Sequence, residues 1–409
     1  MVKFLIGGSP CTHWSIAQNK ARETEPEGIG WELFKNYLIA KEKFQPDFFL
    51  YENNKSAAEA IKARISEELG TPLQYINSAL VSAQNRWRFY AHNIPGVEQP
   101  EDRHIMLADI LESVTGEPPI PLNTAKSGKA KCLRETCYKD GMRNLICNTV
   151  DRRTCVAERV FPLGTTDEGK AYCLTANYSK GSNIKQTIGS RKRTLVAERI
   201  EPFCLNPLAS GKSRTVDAHM SKLEENLVPR MNNENPAKQQ YDCIIEPMTE
   251  TTARAEEKRY PVYEVSDGKI FYKDVPYAVD LPDGFYIIRK LTVKECCRLQ
   301  TLPDDYCWMA KKTHAYKGLG NGWTAEVIMH ILSRALAEIP KYEEIIVLSM
   351  YDGIGTGRYC FDKLGYRNIR YFAYEIEKPA IEIAKTNFPD IVQCGDAFSV
   401  REAGWSVPL

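Results

Sequence analysis

Apolar runs alternate with helical periodicity at both ends of the chain and cease to do so in its middle third. Near the start, residues 2–6, 47–51 and 75–81 are apolar runs that suit buried strands, and helical spacing fills residues 31–43 and 56–69 between them. Residues 341–409 repeat the scheme, with Ile345–Met350 and Ile369–Tyr374 predicted as parallel strands joined through a helix of about a dozen residues. Residues 120–285 are instead rich in turns, with short strand-like pieces such as Thr194-Leu195-Val196-Ala197. The pattern therefore predicts an α/β fold shared by residues 1–119 and 286–409, around a separate, irregular β-rich domain at 120–285. Within that domain Arg153-Thr154-Cys155-Val156-Ala157-Glu158-Arg159-Val160 is echoed by Arg193-Thr194-Leu195-Val196-Ala197-Glu198-Arg199-Ile200, which reads as a duplicated strand and turn unit.

Composition narrows the class. With 409 residues, 43% hydrophobic and 26% charged, the chain can bury a sizeable core, which excludes collagen, extended disorder and small disulfide scaffolds. No apolar run reaches the roughly 18 residues of a membrane helix, and Met1-Val2-Lys3-Phe4-Leu5-Ile6 lacks a signal peptide's pattern, so a soluble cytoplasmic protein is expected. The 13 cysteines are odd in number and follow no framework, which predicts free thiols. The net charge of +1 conceals a segregation, because residues 121–220 hold 18 Lys and Arg against 9 Asp and Glu. That stretch is expected to contact phosphates, with Arg191, Lys192 and Arg193 as candidate contacts.

Three places carry chemistry. Gly7-Gly8-Ser9-Pro10-Cys11-Thr12 runs a strand into a Gly and Pro loop beyond its C-terminal edge, where open parallel sheets bind substrates, and makes Cys11 a candidate thiolate nucleophile. Phe48-Phe49-Leu50-Tyr51-Glu52 ends in a carboxylate on the same edge, able to hydrogen-bond a ring nitrogen. Ile346 to Gly357 reads as strand, Gly-rich turn and helix, a nucleotide-like cradle without the full dinucleotide fingerprint. The following strands end at Glu375 and Asp396, and the three ends together suggest S-adenosylmethionine. Cys132, Cys137, Cys147 and Cys155 lack paired Cys-x-x-Cys spacing, so no metal is expected, and His13 reads as a satisfied loop histidine.

These motifs resemble, in number and content, the DNA (cytosine-5) methyltransferase family. Ser9-Pro10-Cys11 is similar to its Pro-Cys loop, Glu52-Asn53-Asn54 to its Glu-Asn-Val motif, and Gln84-Asn85-Arg86-Trp87-Arg88 to its Gln-x-Arg-x-Arg motif. Arg289 to Asp304 resembles the motif beside the recognition domain, and Gly318-Leu319-Gly320-Asn321-Gly322-Trp323 the Gly-Asn motif. Asp352-Gly353-Ile354-Gly355-Thr356-Gly357 is similar to the family's cofactor loop, in wording closest to the animal de novo enzymes. The resemblance implies a Rossmann-like methyltransferase fold with an inserted target recognition domain. It is circularly permuted, since the cofactor motifs come last, with the cut between Trp405 and Phe4. It implies Cys11, Glu52, Arg86 and Arg88 as catalytic residues. The cofactor residues would be Pro10, Asn321, Trp323, Tyr351, Asp352, Gly353, Gly355, Gly357, Glu375, Ile376, Asp396 and Ala397, and Ser15 and Gln84 would join residues 191–193 on DNA. The chain departs from the family at Thr12 (usually Gln), Tyr351 (Phe), Asn54 (Val) and Gly322-Trp323 (Ser-Val). The implied partner is duplex DNA, bound by a monomer of bacterial or phage origin that flips the target cytosine. Transfer to cytosine in tRNA, transfer of another group, and an idle DNA-binding regulator are the alternatives.

Overall fold

The computed structural model describes residues 1–15, 22–148, 150–163, 195–197, 241–245 and 258–407, with the backbone alone for Cys11 and for residues 161–163, 195–197, 241–245 and 258–260. The chain divides into two compact units. One comprises Met1–Ile110, Ala125–Lys139 and Thr292–Leu409, the other Leu111–Thr124 and Asp140–Leu291. Residues 125–139, expected in the middle domain, belong to the first unit. There β7 (Ala130–Lys131) pairs with β4 (Gln84–Asn85), strands being numbered along the whole chain.

The first unit is built on a seven-stranded sheet. Its strands are β1 (Val2–Gly7), β2 (Phe48–Asn54), β3 (Gln74–Asn77), β5 (Trp87–His92), β15 (Ile345–Met350), β16 (Ile369–Tyr374) and β17 (Val392–Gly395). Their order is β17-β16-β15-β1-β2-β5-β3. From β17 to β2 every pairing is parallel, and β5 runs antiparallel to both β2 and β3. Parallel strands are covered on both faces, and β15, buried at all six positions, has the unbroken apolar sequence Ile-Ile-Val-Leu followed by Ser349 and Met350. The third apolar run is shorter as a strand than predicted. Asn77 accepts a hydrogen bond from Ala79 N and turns the chain into a 3-10 turn, Ser78–Leu80.

Helices cover the sheet because their apolar positions recur at helical spacing. α1 (Gly28–Phe44) buries Trp31, Phe34, Tyr37 and Ala40, and ends at Gln45, in the left-handed conformation with φ 48°. α2 (Glu59–Leu69) buries Ile61, Ile65 and Leu69. α3 (Val293–Leu299) opens with a capping box between Thr292 and Glu295. It is followed by α4 (Lys312–Asn321), α5 (Ala325–Leu336), α6 (Thr356–Lys363) and α7 (Lys378–Asn387). α6 lies so close to the sheet that a Cβ at Gly357 would fall 2.4 Å from the Tyr371 hydroxyl and 2.5 Å from Ile6. Strand order reverses direction between β15 and β1, and a crevice beyond the C-terminal ends at such a switch point is where open α/β sheets bind ligands.

The second unit holds an eight-stranded sheet. Six strands follow the order β13-β12-β11-β14-β8-β6, β10 pairs with β11, and β9 with β8, all antiparallel. These are β6 (Ile120–Leu122), β8 (Cys155–Leu163), β9 (Leu195–Ala197), β10 (Tyr241–Ile245), β11 (Lys258–Ser266), β12 (Lys269–Tyr272), β13 (Val275–Ala278) and β14 (Gly284–Lys290). Leu122, Ile146, Tyr263, Val265, Ile270 and Tyr286 form its core. An ion pair lies inside it, with Arg289 Nε 2.7 Å from Glu158 Oε1 and both side chains buried. The first copy of the sequence echo enters β8. Of the second, the described residues Leu195–Ala197 form β9, paired antiparallel with residues 161–163 of β8. Arg191, Lys192 and Arg193 lie outside the described residues. Among the described residues no helix is long and apolar enough to cross a membrane.

Candidate active site

The C-terminal ends of β15, β16 and β17 form one side of the site. After β15 the chain turns through Tyr351 (φ 61°), Gly353 (φ 65°) and Gly355 (φ 79°) into α6. This is a left-handed path that glycine adopts without strain. Gly353 N donates to Glu375 Oε2 at 2.8 Å, while Ile376 N and Glu377 N donate to Glu375 Oε1 at 2.8 Å each. Glu375 is thus fixed by three backbone amides beside the glycine turn. No atom lies within 4 Å of where a Gly353 Cβ would be, so the turn faces open space. Ile376 is 66% exposed and Phe398 36%, two large apolar groups left uncovered at adjacent strand ends. Asp396 caps the short helix Ala397–Arg401 by accepting from Phe398 N at 2.9 Å, which leaves Ala397 buried. An open glycine turn, a held carboxylate and exposed apolar side chains fit a nucleoside with an attached amino-acid tail.

Asp352 points elsewhere. Its Oδ1 accepts from the Ser349 hydroxyl at 2.7 Å and the Tyr371 hydroxyl at 2.6 Å, and burial pushes its carboxyl up to about 6. Tyr351, expected among the cofactor residues, has its hydroxyl tied to α1, donating to Leu33 O at 2.7 Å and accepting from Asn36 Nδ2 at 3.3 Å.

The ends of β1 and β2 form the other side. Gly8 crosses β2 so closely that a Cβ there would sit 2.3 Å from the Glu52 carbonyl oxygen. The Ser9-Pro10 segment is held by a buried network. Asn53 Nδ2 donates to Ser9 O at 2.9 Å and to the Tyr51 hydroxyl at 3.1 Å, and the Ser9 and Tyr51 hydroxyls share a hydrogen bond of 2.7 Å. Pro10 is exposed, and Cys11 begins the 3-10 turn Cys11–His13. The turn is anchored through Glu23, which lies 3.6 Å from His13 Nδ1 and accepts from Trp14 Nε1 at 3.1 Å and from Gly30 N. The Cys11 side chain lies outside the described part of the structure. Ser15 is half-buried.

Glu52, 8% exposed, is gripped at both oxygens. Arg88 Nε lies 2.8 Å from Oε1, and Trp323 Nε1 donates to Oε2 at 3.1 Å. Each carboxylate oxygen carries two lone pairs, so one acceptor position per oxygen remains beyond these contacts. Arg86, expected to reach the substrate, is a buried clip instead. Its guanidinium donates to the carbonyls of Leu133 (3.3 Å), Gly320 (3.2 Å) and Gly322 (2.8 Å), holding the end of α4. Gln84, expected on DNA, is fully buried, and neither amide atom has a partner among the described residues. Asn321 sits at the exposed end of α4, donating to Glu135 at 3.1 Å.

Sequence reasoning missed three contributors. Asn53, whose amide holds Ser9 and Tyr51, carries no task that its motif reveals. Gln300, fully buried, donates to Leu319 O at 2.6 Å and accepts from Thr324 at 2.9 Å. Cys132 Sγ lies 3.3 Å from Arg86 Nη1 and 4.0 Å from Arg88 Nη2. Burial alone would raise its thiol, but the two guanidinium charges prevail and hold it below the usual range. A tertiary neighbour two to fifty residues away leaves no periodicity to find. Cys132 and Cys137 belong to the first unit and Cys147 and Cys155 to the second. No group of three His, Cys, Asp or Glu that could hold a metal occurs among the described residues.

One sheet edge thus carries an open glycine turn beside a Pro-Cys loop and a held carboxylate, an arrangement suited to group transfer. The family model for C-5 cytosine-specific DNA methylase matches residues 1–108 and 157–337, and the chain belongs to that family. Residues 338–409, which carry β15 to β17, lie outside the match. The chain is also 21% identical over 337 residues to DNA (cytosine-5)-methyltransferase 2 of Arabidopsis thaliana, covering 78% of this chain. It spans about a fifth, 21%, of that relative's length.

Proposed function

We propose that this protein is a DNA methyltransferase that modifies cytosine at C5, with S-adenosylmethionine as donor. The observation that carries the reading is Glu52, held by Arg88 and Trp323 beside the Ser9-Pro10-Cys11 loop and keeping one acceptor position on each oxygen. Those two positions match the exocyclic amine N–H and the N–H of a cytosine protonated at N3 from solvent. Glu375 would hold the ribose hydroxyls of the donor, and Ile376 and Phe398 its adenine. Bound there, the donor supplies an electrophilic methyl group.

Cytosine C5 is too weakly nucleophilic to take a methyl group unaided. Cys11 as thiolate forms a bond to C6, and the C5–C6 π electrons move into the ring while Glu52 stabilises the protonated N3. With the donor bound, its methyl group would pass to C5, and S-adenosylhomocysteine would leave with the electrons of the broken S–CH3 bond. The C5 proton would then go to a solvent-derived base, the C6–S bond would break to return the Cys11 thiolate, and N3 would give its proton back to solvent. This face of cytosine is hidden in a duplex, so the base is flipped out, costing a few kcal/mol. The second unit and the basic stretch at 121–220 serve as the recognition domain, contacting phosphates and base edges. The chain is a circular permutation of the family pattern. That reading is supported by β15, with β16 and β17 beyond it, all late in the sequence, pairing directly with β1 in the sheet.

The test is nucleoside mass spectrometry on duplex DNA and on tRNA incubated with the protein and S-adenosylmethionine. Methylated deoxycytidine, lost in Cys11→Ser while S-adenosylhomocysteine still binds, is the expected result. Retained turnover in Cys11→Ser would overturn the mechanism, and methylcytidine in tRNA alone would overturn the substrate.

A further inference from the structure

The Arg86-Trp87-Arg88 segment closes a ring of contacts around the site. Arg86 holds the carbonyls of Gly320 at 3.2 Å and Gly322 at 2.8 Å, and the next residue, Trp323, donates to Glu52 Oε2 at 3.1 Å. Glu52 Oε1 returns to Arg88 Nε at 2.8 Å, and Cys132 Sγ bridges the two guanidiniums at 3.3 and 4.0 Å. One side of this ring is the segment after α4, assigned to the cofactor from its Gly-Asn motif. The other is the carboxylate assigned to the base. Trp323 is the link between them, and it stands where the family usually has valine, which has no donor. A valine there would leave Glu52 Oε2 without this partner.

We propose that Trp323 is a positioning residue that couples the two halves of the site, fixing the Glu52 carboxylate when the cofactor side is filled. A shift of the Gly320–Trp323 backbone on filling the cofactor side is transmitted through the indole N–H to Oε2. Cofactor then tightens the grip on cytosine, and by reciprocity the flipped cytosine tightens the grip on cofactor. The proposal rests on the methyltransferase reading above, and the experiment separates the two.

A labelled duplex carrying the cytosine context found modified in the mass-spectrometric assay is titrated by anisotropy with and without S-adenosylhomocysteine. S-adenosylhomocysteine alone is titrated by calorimetry. In the native protein the nucleoside is expected to tighten duplex binding by about fivefold or more. Trp323→Phe, which keeps a ring and removes the donor, and Trp323→Val should bring that ratio towards 1. Binding of S-adenosylhomocysteine alone, measured in each variant, separates a loss of cofactor affinity from a loss of coupling. A thermal melt confirms that both variants fold. An unchanged ratio in both variants, or a ratio of 1 in the native protein, overturns the coupling and leaves the methyltransferase reading standing. No S-adenosylhomocysteine binding, or no modified cytosine in any DNA, overturns both.

Discussion

Two glutamates, one in each unit, are paired with arginine and nearly closed to water, yet their surroundings differ. Glu158 is fully buried and enclosed by donors. Oε1 receives Arg289 Nε, and Oε2 accepts from Val114 N at 2.7 Å, Thr115 N at 3.0 Å and the hydroxyls of Ser113 and Thr115. Arg289 also reaches Glu112 O at 2.5 Å, so the pair ties the loop before β6 to β8 and β14. Glu52 has one donor on each oxygen and faces the edge of its sheet. A fully buried carboxylate enclosed by five donors of its own unit serves the fold, whereas one held by two, at the site, is equipped to bind something else.

Glu158→Ala gives the largest expected effect, a loss of about 3–5 kcal/mol of stability in chemical denaturation, because it strands Arg289 as an uncompensated buried charge. Turnover per folded molecule should be little changed. Glu52→Gln should do the reverse, lowering kcat on DNA by about 10²–10³-fold with a small change in melting temperature. Equal stability losses in the two variants would erase the distinction. Asp352 sharpens it with a third carboxylate, half-buried and with no paired cation among the described residues, its carboxyl raised from 3.8 to about 6 by desolvation. The native state therefore holds that proton more tightly than the unfolded chain, so its contribution to stability falls as pH rises from about 4 to about 6 and is constant above. Asp352→Asn should flatten the dependence of urea midpoint on pH over that window, and an unaltered slope would show that the carboxyl is not raised.

Much of the α/β architecture was legible because parallel strands are apolar throughout. Ile345–Met350 and Ile369–Tyr374 are strands over the very residues that the apolar runs mark. Tyr75 to Val81 was less legible, because Asn77 diverts the chain into a turn through a side-chain contact that no hydrophobic count registers. In the site, the ends of apolar strands marked Glu52 and Glu375, and the resemblance to the family marked Arg88. Neither could show that Arg86 turns inward or that Gln84 is buried. Both depend on residues 130–133, which return to the first unit from a stretch that reads, residue by residue, as part of the basic middle segment.

The register of β1 has a consequence for biosynthesis. Phe4 faces Phe48 on one side and Val347 on the other, so the two neighbours of this strand leave the ribosome at very different times. The β1 and β2 pair can form early, but one edge of β1, rich in apolar residues, stays open until β15, at residues 345–350, has been translated. An open edge of that kind invites pairing with other nascent chains. Slowing elongation after residue 110 should prolong that exposure, and a chaperone that shields the strand would matter more here than in a chain whose sheet is laid down in sequence.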